Sequence, residues 1–130
     1  MESPEKEIGH YPLTLTTAGL MDDKIAHFGH TVVVGHWHND MPGLTPTAEV
    51  LASSEGCPRQ IVKYGERVYG FQCHMEFDTA VIELLIANSQ QELNAARGRR
   101  FVRREEEMRT WDYREMNQKL WTFLDKLTEK

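Results

Sequence analysis

Two short stretches gather the side chains of this sequence that can move a proton or hold a metal ion. In GHWHND, residues 35–40, His36, His38 and Asp40 stand at i, i+2 and i+4 directly after the apolar run TVVV. In GFQCHMEF, residues 70–77, His74 and Glu76 are two residues apart, with Cys73 and Met75 interleaved. Alternate side chains of an extended chain share one face. Each stretch therefore offers imidazole and carboxylate on a common side.

The first stretch supports three readings. It matches the opening of the His-x-His-x-Asp-His pattern of metallo-β-lactamase-like hydrolases, but position 41 is Met and the glycine-rich, several-strand lead-in is missing. A zinc site needs three or four ligands with one position open, and His74 is the residue that would complete a set with His36 and His38. The blander reading is a strand end whose polar residues meet solvent. The third is a site of another kind. The second stretch suits acid–base work: a carboxylate fixes the imidazole tautomer, and the other ring nitrogen moves the proton. Strand parity turns Cys73 away from His74, which makes Cys73 a small buried hydrophobe and not a nucleophile.

The elements that must position these residues fall into two halves, 1–77 strand-rich and 78–130 helical. TVVVGHW (31–37) reads as a buried strand and EVLASS (49–54) as a shorter one. QIVKYG and RVYGFQCH form a hairpin around Gly65-Glu66. EIGHYPLTLT (7–16) carries Pro12 and suits an edge or a bend, while MPGLTP (41–46) must be loop. From Asp78 or Thr79 as a cap, Val81, Leu84 and Leu85 begin a helical stripe over 79–94, with Ile82 and Ile86 beside it. Gly98 is a stop, and a second helix over 105–127 carries Met116, Leu120, Phe123, Leu124 and Leu127.

The chain has the length of one domain, 130 residues, and a net charge of −5. The charge argues against nucleic acid as a partner, and no polybasic tract points to a membrane surface. The basic run RGRRFVRR (97–104) meets EEE at 105–107 and reads as a solvated helix face. No apolar run approaches the ~20 residues that span a bilayer. MESPEKEIG is unlike a signal peptide, and two cysteines make no disulfide framework, so a cytoplasmic location is expected.

Taken together, EIGHYPLTLT, HTVVVGHWHND, LASSEGCPRQIVKYGERVYGFQCHMEF and MNQKLWTFLDKL resemble a class I glutamine amidotransferase, most like single-domain members related to the glutaminase portion of GMP synthase. The resemblance spans nearly the whole chain, with the motifs in family order. It implies an α/β, flavodoxin-like open sheet and a Cys–His–Glu triad that hydrolyses L-glutamine to glutamate and ammonia through a glutamyl thioester, with no cofactor and no metal. By motif, His74 matches the catalytic histidine and Glu76 its orienting carboxylate, although Met75 replaces the commoner proline between them. GHWHND matches the segment whose backbone holds the glutamine, with Trp37 and His38 nearest the substrate and Asp40 anchoring the loop.

One part of the pattern is missing. The family nucleophile sits in a Gly-x-Cys-x-Gly elbow, preceded by a glycine-rich oxyanion segment, and this sequence contains neither. Cys57, in SEGCPRQ, matches a loop that the family does not use for catalysis. The expectation is a partial amidotransferase domain over 1–130, the C-terminal half, inactive alone. The alternatives are a non-catalytic assembly module and a metal-dependent hydrolase built on His36, His38 and His74. A half-domain with a parallel-type sheet would leave an edge and an apolar face open. A homodimer is therefore expected, with possible exchange of helices about a hinge at 97–104.

Overall fold

In the computed structural model, which describes residues 1–129, TVVVGHWHND forms the regular strand β2 (Thr31–Asp40). Its period of two is visible in burial: Val32, Val34, His36 and His38 all turn inward, and Thr31, Val33, Asn39 and Asp40 meet solvent. β-Branched residues favour this pleated geometry. The same inward row then passes from hydrocarbon to imidazole without leaving the interior.

β1 (Glu2–Leu15) runs antiparallel to β2, from the pair Glu7–His38 to the pair Thr14–Thr31. The edge position expected from Pro12 is wrong, because β1 is the middle of the sheet. It pairs β2 on one side, and on the other it meets β3 (Glu49–Ser53) at Thr14 and Leu15 and β6 (Phe101–Val102) at Glu7 and Ile8. The carbonyls of Ile8 and His10 accept hydrogen bonds from Arg103, so even-numbered residues here aim their backbone away from β2. Pro12 thus faces the gap between β6 and β3, where its missing N–H breaks no ladder bond.

The sheet continues through β4 (Ile61–Gly65) and β5 (Val68–Phe71) in the order β2-β1-β3-β4-β5. The expected β4–β5 hairpin forms, with its turn at Glu66-Arg67, one residue later than the Gly65-Glu66 position expected from the sequence. Strands and helices combine into an α/β fold, but the pairing is antiparallel except between β1 and β6. A short helix, α1 (Thr17–Met21), follows β1 and is capped by the Thr16 hydroxyl.

Each of the two long helices expected in the second half is broken. The first becomes α2 (Thr79–Asn88), capped by Asp78, and α3 (Gln90–Ala96). At the break, the Gln90 side-chain amide donates to the carbonyl of Ile86, the group that the Gln90 N–H would have used in a continuing helix. The second becomes α4 (Glu105–Thr110) and α5 (Arg114–Thr128). Ile82, Ile86, Met116 and Phe123 are buried as the stripes required, whereas Leu84 and Leu124 are exposed. The polar 97–104 stretch, expected as a hinge, holds β6, with Phe101 buried and Arg103 stacked over Tyr11. Among the described residues no helix is long and apolar enough to cross a membrane.

Candidate active site

After β5 the chain leaves the hairpin, and His74 pairs with Gly35 of β2 as an isolated antiparallel bridge. Its N–H donates to the Gly35 carbonyl at 2.8 Å. His74 therefore does not end a regular strand, as its sequence context implies, yet the expected alternation holds. Cys73, Met75 and Phe77 are buried, while His74 and Glu76 look outward, with side chains 36% and 57% exposed.

The imidazole Nδ1 of His74 lies 2.6 Å from Glu76 Oε1. The ring stacks on Phe77, with centroids 4.6 Å apart and planes 4° from parallel. Partial burial works to raise the Glu76 pKa, but the hydrogen bond from His74, a backbone hydrogen bond and the charge of His74 together hold the carboxyl below its ordinary value. An ionised Glu76 accepts the Nδ1–H of His74 and leaves Nε2 as the nitrogen free to take a proton. The loop is braced from behind by α5. Asn117 Nδ2 donates to the carbonyls of Met75 and Phe77 at 2.7 and 2.9 Å, and the Gly35 N–H lies 3.1 Å from Met116 Sδ.

Gly35 is required at the bridge. A Cβ there would stand 2.7 Å from both the His74 carbonyl oxygen and the Phe77 ring. Since Gly35 directs its backbone groups toward His74, strand alternation directs those of Trp37 to the same edge, just past the bridge. The Trp37 side chain is half-buried, and its indole Nε1–H donates to Glu92 Oε1 at 2.8 Å.

The other face of β2 carries a second assembly, and it is wholly internal. Glu7, His36 and Gln60 are inaccessible to solvent, and His38 is nearly so. Glu7 accepts from Gln60 Nε2 at 2.7 Å, from the Ser54 hydroxyl at 2.8 Å and from His38 Nε2 at 3.2 Å. His36 Nε2 lies 3.1 Å from the Tyr11 carbonyl, which can only accept, so that nitrogen carries the proton and Nδ1 faces His38 at 3.3 Å. Burial holds the His36 imidazole down to about 4, keeping it neutral. Burial pushes the Glu7 carboxyl up, but its bonds from His38 and Ser54 and its proximity to His36 more than offset this, leaving it lowered and ionised.

This placement corrects two expectations. The segment expected as a loop is a strand, with Trp37 and His38 on opposite faces of it and the His38 ring inside the protein. Asp40 is exposed at the strand end, and the following loop is held instead by Met41 N–H on Met1, Arg59 on Pro42 and Tyr64 on Gly43. The set His36, His38 and His74 does not assemble either. Among the described residues the group able to hold a metal ion is Glu7, His38 and Cys57, with donor atoms within 4.8 Å of one another, and hydrogen bonds already engage all three.

Neither cysteine is an activated thiol. Burial pushes both the Cys57 and the Cys73 thiol up, and Cys57 Sγ points to the Arg59 carbonyl. The reasoning from sequence missed Glu7, Ser54, Gln60, Phe77, Glu92 and Asn117, which come from five separate parts of the chain. The one local signal was Gln60, a polar residue set against the apolar run that follows it.

No family model matches the chain. It is 68% identical over 127 residues to the glutamine amidotransferase-like protein YfeJ of Salmonella typhimurium strain LT2, an alignment covering 98% of this chain and 53% of that one. The chain is homologous to the glutamine amidotransferase-like proteins. Among solved structures, SMU.1228c shares 50% identity at a TM-score of 0.95, over 99% of this chain and 55% of that one. A glutamine amidotransferase from Thermotoga maritima has the same fold at 20% identity, with a TM-score of 0.83 and 54% of its chain covered. The chain thus spans about half the length of the relatives it matches.

Proposed function

We propose that this chain forms the proton-transfer half of a class I glutamine amidotransferase site, with His74 as general base and Glu76 as its orienting carboxylate. The observation that carries the reading is the 2.6 Å His74–Glu76 contact, open to solvent beside the free edge of β2. L-Glutamine would lie along that edge, against the backbone groups of Trp37, with His38 next in the strand. In the reaction, His74 takes the proton of a thiol while sulfur attacks the side-chain amide carbon. It then delivers that proton to the leaving ammonia, and water resolves the thioester to glutamate.

The thiol must come from outside these 130 residues. Cys73 and Cys57 are buried, and both are pushed toward the protonated form. The chain alone should therefore release no ammonia from glutamine, while still binding it. Supplying a segment that bears Gly-x-Cys-x-Gly, from an upstream reading frame or from a longer relative, should restore ammonia release, and His74→Ala should lower it by about 10²-fold or more. Ammonia release by the unaided chain that is lost on Cys57→Ala would sink the reading. So would restored activity indifferent to His74.

Self-association is the accompanying proposal. The open β2 edge and the exposed Trp121 and Leu124 of α5 offer surface that a second copy can cover. Sedimentation at micromolar concentration should give a dimer, and a monomer would refute it.

A further inference from the structure

Trp37 is the one indole of β2, and it is not free to turn. Its Nε1–H is held by Glu92 Oε1, while Glu92 Oε2 accepts from Lys6 Nζ at 3.0 Å. The indole hydrogen bond, and after it Lys6, hold the Glu92 carboxyl below its usual range, so the acceptor is an anion. The two supports come from different elements, Lys6 from β1 and Glu92 from α3. Leu93 and Ala96 bury α3 against the core and give Glu92 a fixed base. The break at Ser89 is what redirects this turn toward the strand: a helix running straight through residue 89 would carry Glu92 along the α2 axis.

Trp37 shares a face of β2 with Gly35, two residues away. The space over Gly35 is filled by Phe77 and the His74 backbone, and Phe77 carries the stacked His74 ring. The Trp37 indole and the Phe77 phenyl thus lie on the same face of β2, with the His74 imidazole stacked on the phenyl. We propose that Glu92 is a positioning residue that sets the Trp37 indole as a wall of the L-glutamine site next to His74, with Lys6 holding Glu92 in turn. This rests on the reading of that edge as a glutamine site. A wall locked before the ligand arrives loses no rotamer freedom on binding.

The test follows the indole N–H resonance of Trp37, assigned by its loss in Trp37→Phe, as the 130-residue chain is titrated with L-glutamine to millimolar concentration. The Trp37 signal should shift and saturate. Glu92→Ala should weaken the apparent Kd by about fivefold or more, as expected for losing one hydrogen bond to a charged group. Glu92→Gln keeps an oxygen acceptor for the indole and should stay within about twofold. Absence of any glutamine response in the unmodified chain would overturn the glutamine reading itself. A response in the unmodified chain with unchanged affinity in Glu92→Ala, or equal losses in Ala and Gln variants, would overturn the role of Glu92 alone. Should Glu92→Ala fail to fold, Lys6→Met carries the same test: its affinity must fall, and an unchanged value refutes the proposal.

Discussion

Two histidine–carboxylate pairs occupy this fold, drawn from the same residue types and set a few residues from the same strand. Glu7 and His38 meet at 3.2 Å inside the protein, where the Ser54 hydroxyl and the Gln60 amide also donate to the carboxylate and His36 packs beside it. His74 and Glu76 meet at 2.6 Å at the rim, with one imidazole nitrogen committed and the rest of the pair facing water. The difference lies in what surrounds each pair. A carboxylate enclosed by donors ties strands together, whereas a pair left open on one side can exchange a proton with something that arrives.

The largest contrast should appear when each carboxylate is removed. Glu7→Ala strands buried donors from Ser54, Gln60 and His38, and should cost about 3–5 kcal/mol by urea unfolding. Glu76→Ala at the exposed rim should cost less than about 1 kcal/mol. Equal losses would erase the distinction between the pairs.

Acid should separate them next. His36 is held neutral with its pKa depressed from 6.5 to about 4. Below pH 6.5 the unfolded chain binds a proton at this position that the folded chain does not, so stability falls as pH drops from 6.5 and levels off near 4. At about 1.4 kcal/mol per pH unit, this drop comes to roughly 3 kcal/mol. The lowered Glu7 carboxyl adds a second loss, present above 4.5 and given up as pH falls further through its folded value. Urea midpoints measured from pH 7 to 4 should show the first slope, and His36→Gln should reduce it between 6.5 and 4, leaving the share of His10, whose imidazole burial also holds down to about 4. A slope unchanged in that variant would refute the assignment.

A smaller effect should come from the brace between the regions. Asn117→Ala removes two hydrogen bonds from the loop that carries His74 and should cost about 1–3 kcal/mol. The His74 ring resonances should broaden or shift at the same time, while those of His36 and His38 stay in place. Movement of the buried histidines instead would mean that α5 supports the interior and not the rim.

Much of the strand half was legible because a period of two and a hairpin turn are local properties of the chain, although the turn falls one residue past Gly65-Glu66. The pairing of His74 with Glu76 was legible for the same reason: two residues of extended backbone bring the side chains to one face, and Cys73 to the other. The place of Pro12 was not, because whether a strand is central depends on which partners stop short of it. Helix breaks at 89 and 111–113 escaped the apolar spacing, since amide side chains and tertiary packing, not hydrophobic period, end those helices.

The sequence by itself determined that His36 and His38 lie on one face of a strand, and the inward direction of that face could be read from Val32 and Val34. Only the tertiary structure decided what they meet there. Glu7 lies 31 residues before His38, and Gln60 lies 22 residues after it, so no local pattern ties the three together. The place of the His36 and His38 rings in an internal hydrogen-bonded cluster was decided by burial and by the donors that cross from other strands. Burial makes an unpartnered carboxylate costly, and the fold answers that cost with Ser54, Gln60 and His38.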